Sequence, residues 1–306
     1  MAKLIESLHF PVNRDVPAVN RLYDEHRRRN AMSRGFRDTF QHHRERVTGL
    51  VSAARRTPRD RVVLLGAGNC NDVDLLSLAD QFRHVDLVDL DEDAIRQAVA
   101  DWDVQSRVNV QTRGNVDLAG FGRLVGNWTP DRIRTDDQMD QLIRAVAEYS
   151  FCQELGQYDV VVSTCLLSQL IDSLVLTTSP HHARFVELVL TVRTRHVANV
   201  LDAAMPGGRV VIVTDFVSSQ TCPELKYWDD RQLAQMMPQI IESGNFFTGL
   251  NPYLLYRLVS AGGPLASRVT SAELVSPWLW DMGKKRFAVS ALCATVPHRR
   301  MGRMGP

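Results

Sequence analysis

A glycine pair and a carboxylate at a fixed distance are the residues of this chain best placed to do chemistry. Val62-Val63-Leu64-Leu65 runs straight into Gly66-Ala67-Gly68, and Asp89 follows Gly66 by 23 residues, at the end of Asp86-Leu87-Val88. Glycine at a strand tip lets backbone approach a ligand where a Cβ would block it. On an open parallel sheet, ligands lodge at the carboxyl ends of the strands, and an acidic residue ending the second strand can accept hydrogen bonds from both hydroxyls of a ribose. The spacing is the one a strand-helix-strand turn requires.

These features alone suit either a nicotinamide dinucleotide or S-adenosylmethionine, and the same turn also serves merely to pack a helix on a sheet. A full GxGxxG fingerprint needs glycine at position 71, where Asn71 stands, so the dinucleotide motif is incomplete. A pyrophosphate also wants a glycine-rich helix amino terminus. S-adenosylmethionine, with no phosphate, does not.

The elements that must position these residues alternate from residue 61 onward. Strands are expected at 61–65, 84–90, 107–112, 159–164 and 209–214, with helices through Leu75 to Leu78, over 91–101, near 138–149 and over 182–204. Such alternation means βαβ units, a parallel sheet and helices on both faces. A polar-aromatic excursion over 216–270 reads as helical. The chain then closes with 273–280, a turn at Asp281-Met282-Gly283-Lys284-Lys285, and 286–296, a β-hairpin that forces one strand to run against its neighbour. The first sixty residues carry two helical stripes: Val16, Val19, Leu22, Tyr23 and His26, then Phe36, Phe40, Val47, Leu50, Val51 and Ala54. The expected organisation is an N-terminal helical region over 1–58, a sheet domain over 59–297 and a flexible tail over 298–306.

Five segments in order resemble the motifs of class I (Rossmann-like) S-adenosylmethionine-dependent methyltransferases. They are Val62 to Gly68, Leu87-Val88-Asp89-Leu90-Asp91, Arg113-Gly114-Asn115-Val116-Asp117, Tyr158 to Ser163, and Pro206-Gly207-Gly208 with the apolar run after it. The resemblance covers 61–215, and the closing hairpin is similar to that fold's reversed last strand. It implies a three-layer α/β sheet of about seven strands, mostly parallel with an antiparallel terminal hairpin, and S-adenosyl-L-methionine as cofactor. By the same resemblance Gly66, Ala67 and Gly68 face the amino-acid part of the cofactor and Asp89 with Leu90 meets the ribose. Asn115 and Val116 contact adenine, and Ser163, Thr164 and Cys165 line the pocket below the methyl group. Family members often use N-terminal helices as a lid, which makes Tyr23 a capping residue and Arg27 a lid or substrate contact. Two positions depart from the pattern. Leu64 stands where an acidic residue is common, leaving Asp72, Asp74 or the region of the Ser163 carbonyl to hold the cofactor's ammonium; Cys70 stands where a third glycine is common.

Methyl transfer from a sulfonium is an in-line displacement that needs alignment and desolvation, and a base only if the nucleophile holds a proton. His181, His182 and Asp215, beyond the fourth and fifth strands, are the base candidates. His196 reads as a hydrogen-bonded packing residue, the N-terminal arginines as a solvated helix face, and Trp278 and Trp280 as packing partners on one strand face. Tyr227, Trp228, Phe246, Phe247, Tyr253 and Tyr256 are core or pocket wall.

Composition bounds the rest. The chain has 306 residues, 44% hydrophobic and 23% charged, with a net charge of +1. Near neutrality removes the global field expected of a nucleic-acid or anionic-membrane binder. No apolar run approaches the length of a bilayer span, the start lacks a signal-peptide core, and the five scattered cysteines suggest neither zinc nor disulfides. The expectation is a cytoplasmic enzyme that methylates an O or N atom of a small molecule, with no metal, membrane or nucleic acid. The alternatives are an inactive scaffold of the same fold, a methyltransferase acting on protein or RNA, and aminopropyl transfer, disfavoured because no acidic pair for a polyamine is visible.

Overall fold

A computed structural model describes residues 21–298. Val16 and Val19 of the first stripe, and the tail beyond 298, lie outside the described residues. In chain order the elements are α1 (Arg21–Ser33), α2 (Gln41–Ala54), β1 (Arg61–Leu65), α3 (Leu75–Gln81), β2 (His84–Val88), α4 (Glu92–Asp101) and β3 (Val110–Arg113). The single turn α5 (Gly122–Val125), α6 (Asp136–Glu148), the single turn α7 (Cys152–Leu155), β4 (Tyr158–Thr164), α8 (Leu166–Thr177) and α9 (Phe185–Ala203) follow. Then come β5 (Ala204–Ser218), α10 (Asp230–Glu242), α11 (Pro252–Val259), β6 (Ser271–Asp281) and β7 (Arg286–Thr295).

The seven strands form one sheet in the order β3-β2-β1-β4-β5-β7-β6. The first five pair in parallel, while β7 runs antiparallel to both β5 and β6. This is the mixed, mostly parallel Rossmann-like sheet flanked by helices that the sequence led us to expect, hairpin included. Val62 to Leu65, Val85 to Val88 and Val160 to Val162 are buried throughout, the continuous apolar runs of strands covered on both faces. One carboxylate interrupts that core. Asp86, buried within β2, accepts hydrogen bonds from Tyr158 Oη at 2.5 Å and Arg113 Nη2 at 3.0 Å, so β3 and β4 both supply donors to the strand between or near them.

Several expectations need correcting. The strand expected over 107–112 starts at Val110, because a turn from Arg107 O to Val110 N takes up the preceding residues. The helix expected from His182 starts at Phe185, after turns at Ser179–His182 and His182–Phe185. The excursion expected from 216 starts later, since β5 runs on to Ser218 alongside β7. The largest miss is α8, which has no counterpart in the expected elements. It begins directly after β4 at Cys165, whose left-handed φ of 47° makes the turn. Its mixed leucine, serine and aspartate sequence is buried on nearly every side, which flattens the amphipathic period used to find helices. Among the described residues no helix is long and apolar enough to cross a membrane.

Replacing Tyr158 by Phe should destabilise the fold by about 1–3 kcal/mol, because the buried Asp86 loses its shortest donor. Urea unfolding measures this directly; an unchanged midpoint would remove the Asp86–Tyr158 bond from the account of the core.

Candidate functional site

The tips of β1 and β2 are joined through one carboxylate. Gly66 and Gly68 leave β1 with φ of 73° and 47°, in the left-handed region that glycine enters at no steric cost. The N–H groups of Gly66 and Ala67 bond to Val88 O, and Gly68 N–H donates to Asp89 Oδ2 at 2.8 Å. Asp89 Oδ1 accepts from Asp91 N–H at 2.8 Å. A carboxylate has about four acceptor sites, and the N–H groups of Gly68, Asp91 and Leu90 are its backbone donors, so acceptor capacity remains for a ligand. Burial, followed by repulsion from Asp91, pushes the Asp89 carboxyl up to about 6. Cys70 takes a φ of 52°, so this non-glycine position is itself left-handed.

Two cavities meet over this junction. The larger, about 200 Å³, is lined by Gly66, Ala67, Gly68, Asn69, Asp72, Asp89, Cys165, Ser168, Asp172 and Asp215 on the sheet side. His26, Arg29, Asn30, Phe36, Phe40, Trp280, Met282 and Phe287 are among the residues that cover it. The smaller, about 40 Å³, is lined by Leu22, Tyr23, Leu90, Val116, Asp117, Leu118, Phe121, Leu166 and Leu170. Gly66, Asp89, His26 and Gln169 border both. Asp117 shapes the small cleft by accepting from the N–H groups of Ala119, Gly120 and Gly122 at 2.9, 3.1 and 2.8 Å.

The N-terminal helices are tied down onto the glycine turn. Asn69 Nδ2 donates to Asn30 O at 2.6 Å, Asn71 Nδ2 to Ser33 O at 2.8 Å, and Asn30 Nδ2 to Asp91 Oδ2 at 3.0 Å. Arg29 pairs with Asp172 of α8, and His26 Nε2 lies 3.0 Å from Ser173 Oγ. Burial, then Arg29, lowers His26 to about 4, so it is uncharged at neutral pH.

At the other end, His43 sits beneath Asp72. Trp278 Nε1–H donates to His43 Nδ1 at 3.1 Å; indole nitrogen is a donor only, so Nδ1 is bare and the ring proton sits on Nε2, 3.2 Å from Asp72 Oδ1. His43 also stacks on Trp280 with ring centroids 4.6 Å apart. Asp215, 5% exposed, accepts from Ser168 Oγ at 2.5 Å. Burial, with repulsion from Asp72 adding to it, pushes the Asp215 carboxyl up to about 6.

Of the site residues named from sequence, Gly66, Ala67, Gly68, Asp89, Leu90, Val116, Cys165, Asp215 and Tyr23 border one or both cavities. Asn115, left-handed at φ 60°, turns away to donate to Glu92 Oε2 at 2.6 Å. Ser163 and Thr164 are buried behind the pocket floor, Ser163 Oγ lying 2.9 Å from His196 Nε2. His181 is exposed and His182 Nε2 lies 3.5 Å from Asp136 Oδ1, so neither lines a cavity. The reason is α8: its 12 residues carry the chain roughly 18 Å from the strand tip before the histidines. Arg27 also stands apart, 55% exposed beside Asp24; the lid residues over the cavity are His26, Arg29 and Asn30. Sequence reasoning missed Ser168, Gln169 and Asp172 along with α8, and the lid asparagines because asparagine carries no period. Among the described residues no cluster of three or more His, Cys, Asp or Glu is arranged to hold a metal ion.

No protein-family model and no curated protein matches the sequence. Solved structures do resemble it. The magnesium protoporphyrin IX methyltransferase of Synechocystis is 11% identical, with 90% of this chain and 95% of that one covered at a TM-score of 0.44. A SAM-dependent methyltransferase of Methanosarcina mazei is 12% identical, over 82% and 98% of the two chains, at 0.43. The RNA methyltransferase-like PH1948 of Pyrococcus horikoshii is 12% identical, over 82% of each, at 0.37. These scores lie under 0.5, and the assignment of a Rossmann-like methyltransferase fold stands on the sheet order and the closing antiparallel hairpin of the chain itself.

Proposed function

We propose that the chain is an S-adenosyl-L-methionine-dependent methyltransferase acting on a small molecule. The observation that carries this reading is the place of Asp89, at the meeting point of an apolar cleft and a polar chamber, with acceptor capacity left on its carboxylate. A ribose diol on Asp89 puts adenine in the cleft of Leu90, Val116, Leu118 and Phe121, capped by Tyr23, and the amino-acid tail over Gly66 to Gly68. Of the groups weighed for the cofactor's ammonium, Asp74 is spent capping α3 through Ser77 N–H, Ser163 lies behind the floor, and Asp72 borders the chamber. Asp72 is therefore the residue we assign to it. A dinucleotide fits less well: Asp72 and Asp74 flank the amino terminus of α3, where a pyrophosphate would meet negative charge instead of free N–H groups.

When bound, the cofactor supplies an electrophilic methyl group on a sulfonium. The chain's own contribution is to align and dehydrate. Phe36, Phe40, Trp280 and Phe287 shed water from the acceptor end, and Asp215 is placed to take a proton at its carboxylate if the acceptor atom carries one. A small acceptor is favoured because α1 and the segment after it, through Phe36 and Phe40, roof the chamber and the net charge of +1 offers no field for nucleic acid. We assign the chain no membrane and no metal partner, and a cytoplasmic location is in keeping with these features.

Calorimetry with S-adenosylmethionine and S-adenosylhomocysteine tests the reading. Both should bind the wild type, and Asp89→Ala should weaken binding by about 1–3 kcal/mol, roughly 5- to 150-fold. No binding of either at high micromolar concentration would leave the scaffold alternative, and tight NADH binding would restore the dinucleotide. A second test concerns Asp215. Its carboxyl in the fold, at about 6, lies above the ordinary value of 3.8, so the native state holds the proton longer than the unfolded chain does. The resulting cost is absent below pH 3.8 and grows as pH rises through 6. Asp215→Asn should therefore gain on the order of 2 kcal/mol over the wild type at pH 8 and nothing at pH 4. Thermal melts at the two pH values read this; an equal difference at both would mean that burial of Asp215 carries no such cost.

A further inference from the structure

We propose that the acceptor end of the chamber is built for an organic cation, an amine carried on an apolar body. The inference rests on the cofactor reading above, which assigns Asp89 and Asp72 to the cofactor. Two of the four acids that line the chamber are thereby committed, and a third, Asp172, is paired with Arg29. Asp215 is left. It is buried, its side-chain partners are the Ser168 hydroxyl and the Cys165 thiol, and no lysine or arginine among the described residues pairs with it. The neighbouring His43 is held through Nδ1 by the Trp278 indole with its Nε2 3.2 Å from Asp72, and its effect on Asp215 is smaller than the burial that raises that carboxyl.

A second observation points to the same occupant. The sheet order places Asp89 beyond β2, Asp215 on β5, and Phe287 and Trp280 on β7 and β6, so the chamber runs from the ribose carboxylate across to an aromatic end. There Phe40 meets Trp280 edge-on with centroids 4.9 Å apart, and Phe287 lies 5.6 Å from Trp280. Aromatic side chains and a carboxylate that line one chamber can hold an alkylammonium by cation–π attraction and ion pairing together. The Trp280 indole is only 8% exposed, and its Nε1–H has no acceptor among the described residues. That donor calls for an acceptor atom, which an ammonium lacks, so it stays outside the contacts assigned to the cation. A carboxylate-bearing acceptor would meet Asp215 and Asp72 with like charge; a neutral alcohol would leave the Asp215 charge unanswered.

The test compares three probes of one shape on the wild-type protein, with binding read by calorimetry and tryptophan fluorescence: 2-phenylethylamine, 2-phenylethanol and 3-phenylpropionate. At pH 7.5 the amine should bind at least about 10-fold more tightly than the alcohol, and the carboxylate least well. At pH 5 the amine's advantage should shrink as Asp215, faced by Ser168, Asp72, Cys165 and His43, takes up a proton; the alcohol should not respond. Asp215→Asn should bring the amine to the level of the alcohol, and Trp280→Leu should weaken the amine without moving S-adenosylhomocysteine. Equal affinity for amine and alcohol on the wild type overturns the proposal whether or not the variants fold. If S-adenosylhomocysteine binds and the amine does not, the cation site falls and the cofactor reading stands. If the amine binds selectively and S-adenosylhomocysteine does not, the cation site stands and the cofactor reading falls.

Discussion

The carboxylate of Asp89 holds together the ends of the two strands that frame the site. Through one oxygen it fixes the N–H of Gly68, and through the other the N–H of Asp91. Glycine suits position 66 for a packing reason as well. A Cβ there would meet the Leu166 side chain of α8 at 3.0 Å, so the strand tip, the glycine turn and α8 close tightly on one another. Because parallel strands bring all their carboxyl ends to one edge, this junction also sets where the Cys165 turn and Asp215 stand. The chemistry of the site is thus a consequence of how three strand tips are tied.

The lid depends on the same junction. Asn30, Asn69, Asn71, Ser33 and Asp91 bond across the gap between α1 and the glycine turn. Neutral amides do this without importing charge into a chamber already rich in carboxylates. Arg29, the one arginine lining that chamber among the described residues, pairs with Asp172 and Glu25. The chamber therefore keeps a negative interior although the chain as a whole is nearly neutral.

The strand tips were legible in the sequence because a buried parallel strand leaves a plain signature: an apolar run that stops at Gly66 or Asp89. The closing hairpin was legible from its turn. What escaped was set by tertiary contact. α8 is buried all round and so shows no amphipathic stripe, and its omission misplaced His181 and His182, which were expected near the ligand edge and lie beyond a helix instead. Asp72 and Asp215 form the acidic neighbours that the linear sequence did not reveal, since 142 intervening residues separate them. Trp280 was taken as packing, which is half true: it stacks on His43 and also walls the chamber.

The central claim is that Asp89 receives the ribose of S-adenosylmethionine with adenine in the cleft of Leu90, Val116 and Phe121. A crystal structure of the chain grown with S-adenosylhomocysteine tests it most directly. The account predicts both ribose hydroxyls within about 3 Å of the Asp89 oxygens, with the purine between Tyr23 and Val116. An adenosine bound elsewhere on the chain, or one whose ribose leaves Asp89 untouched, would contradict it.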